Sequence, residues 1–308
     1  MDTNLYREKL IALYKEFERV CDLLNLRYFV GYGTLLGAVR HKGFIPWDDD
    51  LDVIMPRPDY DTFMEKAQGI LKNEIFLQNI YTEKNYILNF SKLRDTNTTL
   101  VETEYKSYDL HHGVFIDIFP IDGYIKGQDK MLDFRIKERA FEEPTGIKRI
   151  YSSIVSGNQA IMTKIGPAVA SRVNMKNKLI KMDKKAKRWN FDMCDTVADI
   201  VSSIYIVPME KTVFEKSVDL YFEGHKVKAP VGYDRYLTLM YGDYMKLPPE
   251  DKRKPHHNFA FLDLEKSYME YTFEDRKGLI NWKRIKKMKN IMRTGFRKVE
   301  VMMRLFSP

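Results

Sequence analysis

Between residues 3 and 25 the apolar positions Leu5, Leu10, Leu13, Phe17, Val20 and Leu24 recur in steps of three to five, with charged residues between them. That spacing predicts an amphipathic helix, ended by Asn25. The pattern then shortens. Residues 27–34 read as a strand running into a glycine turn, and 35–40 as a short helix closed off by Gly43 and Pro46. Residues 51–55 read as a strand stopped by Pro56 and Pro58, after which Asp59 or Asp61 is placed to cap a helix reaching about Leu71. Further strands are expected over 86–94 and 113–120. The span 128–200 is rich in helix formers and poor in strand signals, whereas 204–262 is cut into shorter elements by turn clusters at Pro248-Pro249 and Pro255. The expected fold is α/β (α+β): a mixed sheet with flanking helices, a helical insertion and a C-terminal amphipathic helix. Its divisions fall at 1–125 for the core, 126–203 for a helix-rich insertion or lobe, 204–275 for the rest of the catalytic unit and 276–308 for the tail.

The chain has 308 residues, 44% apolar and 13% aromatic, which is ample for a packed core and excludes a disordered chain. A net charge of +8 points at first to a polyanionic partner. Its location removes that reading. Of the 51 basic residues 11 lie in 276–308, against one of the 43 acidic residues, so 1–275 holds 40 basic and 42 acidic residues. No nucleic-acid partner is expected. In the tail, apolar residues at 285, 288, 292, 296, 299, 303 and 306 alternate with lysines and arginines. A basic helix of this kind either lies on an anionic membrane surface or packs its apolar stripe on the body. With no apolar leader segment and no run of 18 apolar residues, the expected location is the cytoplasm, peripherally at the inner face of the cell membrane. Cys21 and Cys194 are too few and too isolated for a disulfide framework or a zinc site.

The candidate chemistry gathers near residue 50. Asp50 and Asp52 are two apart, so on a strand both point to one face, and Asp48 shares their parity. Crowded carboxylates repel one another. A divalent cation relieves this, and closely spaced oxygen ligands suit Mg2+ or Mn2+. Upstream, Gly33-Thr34 opens a helix whose free backbone N–H groups can hold a phosphate. Asp117 interrupts the apolar run 114–120, where an ionised carboxylate is costly unless paired or bound to metal. Aspartates after a proline also occur in solvated turns, but Asp52 leads straight into the apolar Val53-Ile54-Met55. Asp48, Asp50, Asp52 and Asp117 are therefore candidate metal ligands. An acidic metal site beside a phosphate site is what phosphoryl or nucleotidyl transfer requires.

The run Gly33-Thr-Leu-Leu-Gly-Ala-Val-Arg, followed by Pro46-Trp-Asp-Asp-Asp-Leu-Asp, resembles the signature of the LicD family, bacterial relatives of the fukutin-type enzymes in the nucleotidyltransferase superfamily. The superfamily pattern matches at Gly33-Thr34, at Asp50 and Asp52, and at Asp117. Residues 92–99, 113–122 and 241–249, with His256-His257, also resemble the family, which covers roughly 1–125 and 220–260. The resemblance implies a nucleotidyltransferase-like core. It implies transfer of a phospho-alcohol, chiefly phosphocholine from CDP-choline, to a hydroxyl of a teichoic acid or lipopolysaccharide type glycopolymer or its lipid-linked precursor, with release of CMP. On this reading Asp50 and Asp52 bind Mg2+ (or Mn2+). Asp117 either shares the metal or accepts the hydroxyl proton, and Asp48 is a further ligand or an orienting group. Gly33 and Thr34 meet the phosphates. Arg40 and Arg94 either add charge there or pair with carboxylates. His256 and His257 contact substrate, bind a second metal or lie on a polar turn. Two other functions stay open: addition of NMP to a hydroxyl, and an inactive membrane-bound scaffold of a glycan assembly complex.

Overall fold

The computed structural model describes residues 3–106, 108–125, 175–201, 206–255 and 257–271. The amphipathic helix forms as its periodicity requires: α1 (Thr3–Leu24) buries Leu10, Leu13, Phe17 and Val20 together with Tyr6 and Tyr14. Asn25 ends it in the left-handed region at φ 52°, and the Leu26 N–H closes on the Cys21 carbonyl.

There follow β1 (Phe29–Val30), α2 (Tyr32–Arg40), β2 (Asp52–Pro56), α3 (Arg57–Lys66), β3 (Ile75–Gln78), β4 (Ser91–Asp95), β5 (Thr99–Glu102) and β6 (Val114–Gly123). Further on come α4 (Met175–Ala186), β7 (Thr196–Ala198), β8 (Met209–Glu210), β9 (Ser217–Phe222), β10 (His225–Pro230), α5 (Tyr233–Tyr241) and β11 (Phe259–Asp263). The central sheet has the order β1-β2-β6-β4-β3, with β2 and β6 parallel and the other pairs antiparallel. At its far end β6 also pairs with β7, which pairs with β8. Separate two-stranded ribbons are β5–β11 and β9–β10, the latter turning at Glu223-Gly224, both at positive φ.

Helices α1 and α3 pack together, Phe17 against Phe63 at 5.1 Å between ring centres, and cover one face of the sheet. The Tyr60 hydroxyl of α3 reaches Ser91 Oγ of β4, which identifies the covered face as the one that Ser91 points to. By strand alternation Lys92 points to the other face.

Several local expectations are corrected. Helix α2 starts at Tyr32 rather than Leu35, because Gly31 leaves the strand in an extended conformation and its carbonyl accepts the Leu35 N–H. The strand before it is only Phe29–Val30. Neither Asp59 nor Asp61 caps α3. Its N-cap is Pro56, Pro58 fills the first turn where a missing N–H costs nothing, and Asp59 instead accepts from the Arg27 main chain and side chain. The helix stops at Lys66, followed by a single 3-10 turn to Gly69. Strand β4 begins at Ser91, not 86. Within the span read as helical, α4 is a helix, but 196–198 is a strand that lengthens the main sheet. Residues 128–174 of that span and the basic tail 276–308 lie outside the described residues. Cys21 and Cys194 are buried and free. Among the described residues, no helix is long and apolar enough to cross a membrane.

Candidate active site

The sheet register assembles the site. Asp52 of β2 lies beside Asp117 of β6, and Asp117 lies beside Lys92 of β4, a polar row on the face opposite α3. Lys92 is the residue that sequence reasoning missed. Its ammonium is 2.9 Å from Asp117 Oδ1 and 3.7 Å from Glu102 Oε1, and 3.3 Å from the centre of the Phe115 ring. With its side chain only 2% exposed, it needs that company, because a buried ammonium is tolerated only when paired. The signal was available: Lys92 interrupts a strand pattern just as Asp117 does. Asp117 Oδ1 is buried, and the ammonium beside it is not aligned for a hydrogen bond, so this oxygen has no hydrogen-bond partner.

Arg94, on the same face two residues on, does not reach toward a substrate. Its Nε donates to Gln78 Oε1 at 2.5 Å, Nη1 to the Gly113 carbonyl at 2.6 Å and Nη2 to Glu102 Oε2 at 3.1 Å, all buried. Of the two roles left open for it, the structure shows pairing with a carboxylate. Arg40 does neither. It ends α2, roughly 10 Å along the helix from Gly33 at 1.5 Å per residue, and donates to the Tyr244 carbonyl.

The glycine turn and the aspartate segment are stitched together. Thr34 is buried, and its hydroxyl accepts the Asp52 N–H at 2.8 Å, while the Gly31 N–H donates to the Asp52 carbonyl. The Thr34 side chain therefore fixes the carboxylate strand, leaving the backbone of the first turn of α2 as the part able to meet a phosphate. Gly33 is needed for close approach: a Cβ there would lie 2.5 Å from Asp48 Oδ2.

The carboxylates feel one another. Burial and Asp49 push Asp48 up to about 6; burial and Asp48 push Asp50 up to about 7. Asp52, buried beside Asp50 and Asp117, is raised well above the usual carboxylate range. Asp49, absent from the expected set, pairs with His257, whose Nδ1 lies 3.1 Å from Asp49 Oδ1 and 3.8 Å from Asp50 Oδ2. Burial lowers the His257 imidazole, but Asp49 and Asp50 outweigh it and push it up to about 9. Tyr241, at the end of α5, has its phenol raised by desolvation and then by Asp52, Asp48 and Asp50. His256 lies outside the described residues.

Three aspartates driven toward protonation and a glycine that lets Asp48 approach are features that fit a hard divalent cation, whereas Asp117 already has the Lys92 ammonium as counter-charge. The fit is not a closed shell. Among the described residues, the one group of three potential ligands lying within 4.8 Å of one another is Asp49, Asp50 and His257. Asp52 and Asp117 are in register on neighbouring strands, while Asp48 and Asp50 lie on the segment before β2.

Residues 25–145 match a family described as LicD/FKTN/FKRP, nucleotidyltransferase domain. The chain is 31% identical over 263 residues to the lipopolysaccharide cholinephosphotransferase LicD of Haemophilus influenzae, an alignment covering 78% of this chain and 90% of that protein. It is also 36% identical over 110 residues to an uncharacterized protein of Rickettsia prowazekii, covering 29% of this chain and 41% of the relative.

Proposed function

The chain belongs to the LicD family and is a phosphotransferase, and from that premise we propose that it moves phosphocholine from CDP-choline to a hydroxyl of a lipopolysaccharide or teichoic acid type glycopolymer, or of its lipid-linked precursor. The observation that carries the reading is the row Asp52, Asp117 and Lys92 beside Asp48 and Asp50, next to the open first turn of α2. Choline and lipopolysaccharide come from the name of the Haemophilus influenzae relative.

The acceptor oxygen attacks the β-phosphorus of the donor. The new P–O bond forms as the bond from that phosphorus to the bridging oxygen breaks, and CMP departs with that oxygen and its electron pair. Asp48, Asp50, Asp52 and Asp117 would hold Mg2+, or Mn2+ in its place, and such an ion supplies charge neutralisation of the diphosphate and of the departing CMP. The Gly33 and Thr34 backbone N–H groups face the donor phosphates at the helix N-terminus. Asp117 either takes the hydroxyl proton or shares the cation, and Lys92 holds its carboxylate in place. His257 is held by Asp49 at the edge of the site, where it contacts substrate.

Metal-dependent CMP release, screened over CDP-choline, CDP-ethanolamine, CDP-ribitol and CDP-glycerol, tests the reading. CDP-choline is the expected donor. Asp50→Asn and Asp52→Asn abolish transfer in folded protein, and undiminished activity in EDTA refutes the metal. With each half of the donor labelled, CMP found on the acceptor identifies nucleotidyl transfer instead. Absence of both products leaves the scaffold.

The basic tail would bring this site to an anionic membrane surface at the inner face, where a lipid-linked acceptor is within reach. Liposome flotation with and without residues 276–308 decides it. Equal flotation of the two forms removes the idea.

A further inference from the structure

Where the chain enters α2, the backbone adopts a conformation that its own residue resists. Gly31 is extended at φ −127° and ψ 178°, and the next residue, Tyr32, stands at φ 44°. That is the left-handed region, open to glycine and costly for a bulky side chain. Such a conformation persists only where the surrounding structure over-determines it, and strain of this kind gathers at functional sites.

Tyr32 is held in several ways at once. Its hydroxyl donates to Asp199 Oδ2 at 2.5 Å, a partner 167 residues away. Its main-chain N–H donates to the Tyr236 hydroxyl of α5 at 3.3 Å. The ring meets Phe119 of β6 and Tyr236 edge to face, at 5.0 and 6.3 Å between centres. Asp199 is buried and directly follows β7, so the hydroxyl ties the start of α2 to the strand that lengthens the main sheet. Burial and Asp199 raise the phenol well above its ordinary value, so it remains a donor.

The first bond of the α2 ladder runs from the Leu35 N–H to the Gly31 carbonyl, so the N–H groups of Tyr32, Gly33 and Thr34 lie outside that ladder. Tyr236 takes the first of them, which leaves Gly33 and Thr34 as the donors of the turn. Gly31 and the Thr34 side chain are stitched to Asp52 of β2, while Tyr32 is held by α5 and by the residue after β7. Were Tyr32 to relax to a negative φ, the peptide that carries the Gly33 N–H would rotate with it.

We propose that Tyr32 is a positioning residue, whose hydroxyl bond to Asp199 keeps the first turn of α2 in the conformation that aims the Gly33 and Thr34 N–H groups at the donor diphosphate. The proposal rests on the reading above that brings those phosphates to this turn, and it adds the pair that holds the turn in shape.

Tyr32→Phe keeps the ring and removes the bond. Two measurements on the full chain in Mg2+ read the effect: CDP binding by calorimetry, and the KM and kcat for CDP-choline. In folded protein, Tyr32→Phe weakens CDP binding and raises the KM about three- to thirty-fold, the range of one lost hydrogen bond, with kcat little changed. Asp199→Ala repeats that loss, and the two together lose no more than either alone. Asp199→Asn, whose side-chain oxygen still accepts the hydroxyl, stays near the wild type. The Asp199 pair decides the matter if Tyr32→Phe does not fold. CDP affinity and KM indifferent to both Tyr32→Phe and Asp199→Ala overturn the role of Tyr32 and leave the donor reading intact. A loss confined to kcat at unchanged CDP affinity overturns it as well. CDP binding that depends on Tyr32, with no turnover of any CDP-alcohol, supports the role and overturns the donor reading. A wild type that binds no CDP overturns both.

Discussion

Lys92 and Asp117 face each other in register across β4 and β6, Nζ to Oδ1 at 2.9 Å, and both side chains are almost entirely out of solvent. A carboxylate proposed for the chemistry is thereby held by a buried counter-charge. Lys92→Met leaves Asp117 without a counter-charge and Glu102 with Arg94 alone, so the expected loss is about 3–5 kcal/mol, as for breaking other buried pairs. Urea denaturation measures it. The double variant Lys92→Met with Asp117→Asn recovers a large part of that stability and no activity. A loss below about 1 kcal/mol in the single variant would show that the pair is not coupled as the geometry requires.

The aspartates are placed against their own stability. Asp50 is raised to about 7 from an ordinary 3.8, so the folded protein holds that proton after the unfolded chain has released it. Without added metal, this group's penalty is absent below about pH 4, grows through about pH 7 and is constant above. His257 runs the other way: raised to about 9, its pairing contributes fully below about pH 6.5 and is lost as pH rises through 9. In EDTA at pH 8, Asp50→Asn should therefore melt above the wild type, and near pH 4 the two should coincide. Saturating Mg2+ should raise the wild-type midpoint at pH 8 and do little for the variant. An Asp50→Asn midpoint below the wild type at pH 8 would contradict the repulsion.

How much of this was legible in the chain depends on the range of the interaction. The α1 periodicity, the strand opened by Asp52 and the intrusion of Asp117 into an apolar run are local patterns and lie where they were expected, whereas Asp50 falls before the strand on which its parity with Asp52 was argued. Lys92 was visible as a charge in a strand pattern, but its pairing with Asp117 was not legible, because only the β4–β6 register makes the two neighbours. The same distance effect left the arginines open between the phosphates and a carboxylate partner. Their charge suggested phosphate, but Gln78, Gly113 and Glu102 converge on Arg94 from three separate segments. Asp49 was passed over on parity, since it points away from the Asp50 side on an ideal strand. The segment before β2 is not a strand, and Asp49 turns to His257 from 208 residues away.

Arg94 should behave as a structural group. Lysine in its place offers a point charge that cannot span three acceptors in three directions. Arg94→Lys is expected to lose about 1–3 kcal/mol of stability, the cost of leaving a buried acceptor unsatisfied, with the KM for the CDP-alcohol unchanged. A KM raised tenfold in protein of wild-type stability would return Arg94 to the phosphates.

Gly33 tests whether Asp48 belongs to the metal site. A Cβ added there falls 2.5 Å from Asp48 Oδ2 and meets no other residue as closely. The obstructing atom is the end of a short, movable side chain, so the fold can absorb Gly33→Ala by turning Asp48 aside. Alanine is also the better helix former, which offsets part of the strain. The expected result is a protein that melts near the wild-type temperature yet binds Mn2+ about ten- to a hundred-fold more weakly, the usual cost of disturbing the groups around a metal. Gly69→Ala, where a Cβ meets nothing within 4 Å, is the matched control and should bind as the wild type does. Mn2+ titration followed by electron paramagnetic resonance reads affinity without reference to turnover. If Gly33→Ala binds Mn2+ with wild-type affinity, Asp48 is not a ligand, and the site contracts to Asp50, Asp52 and Asp117.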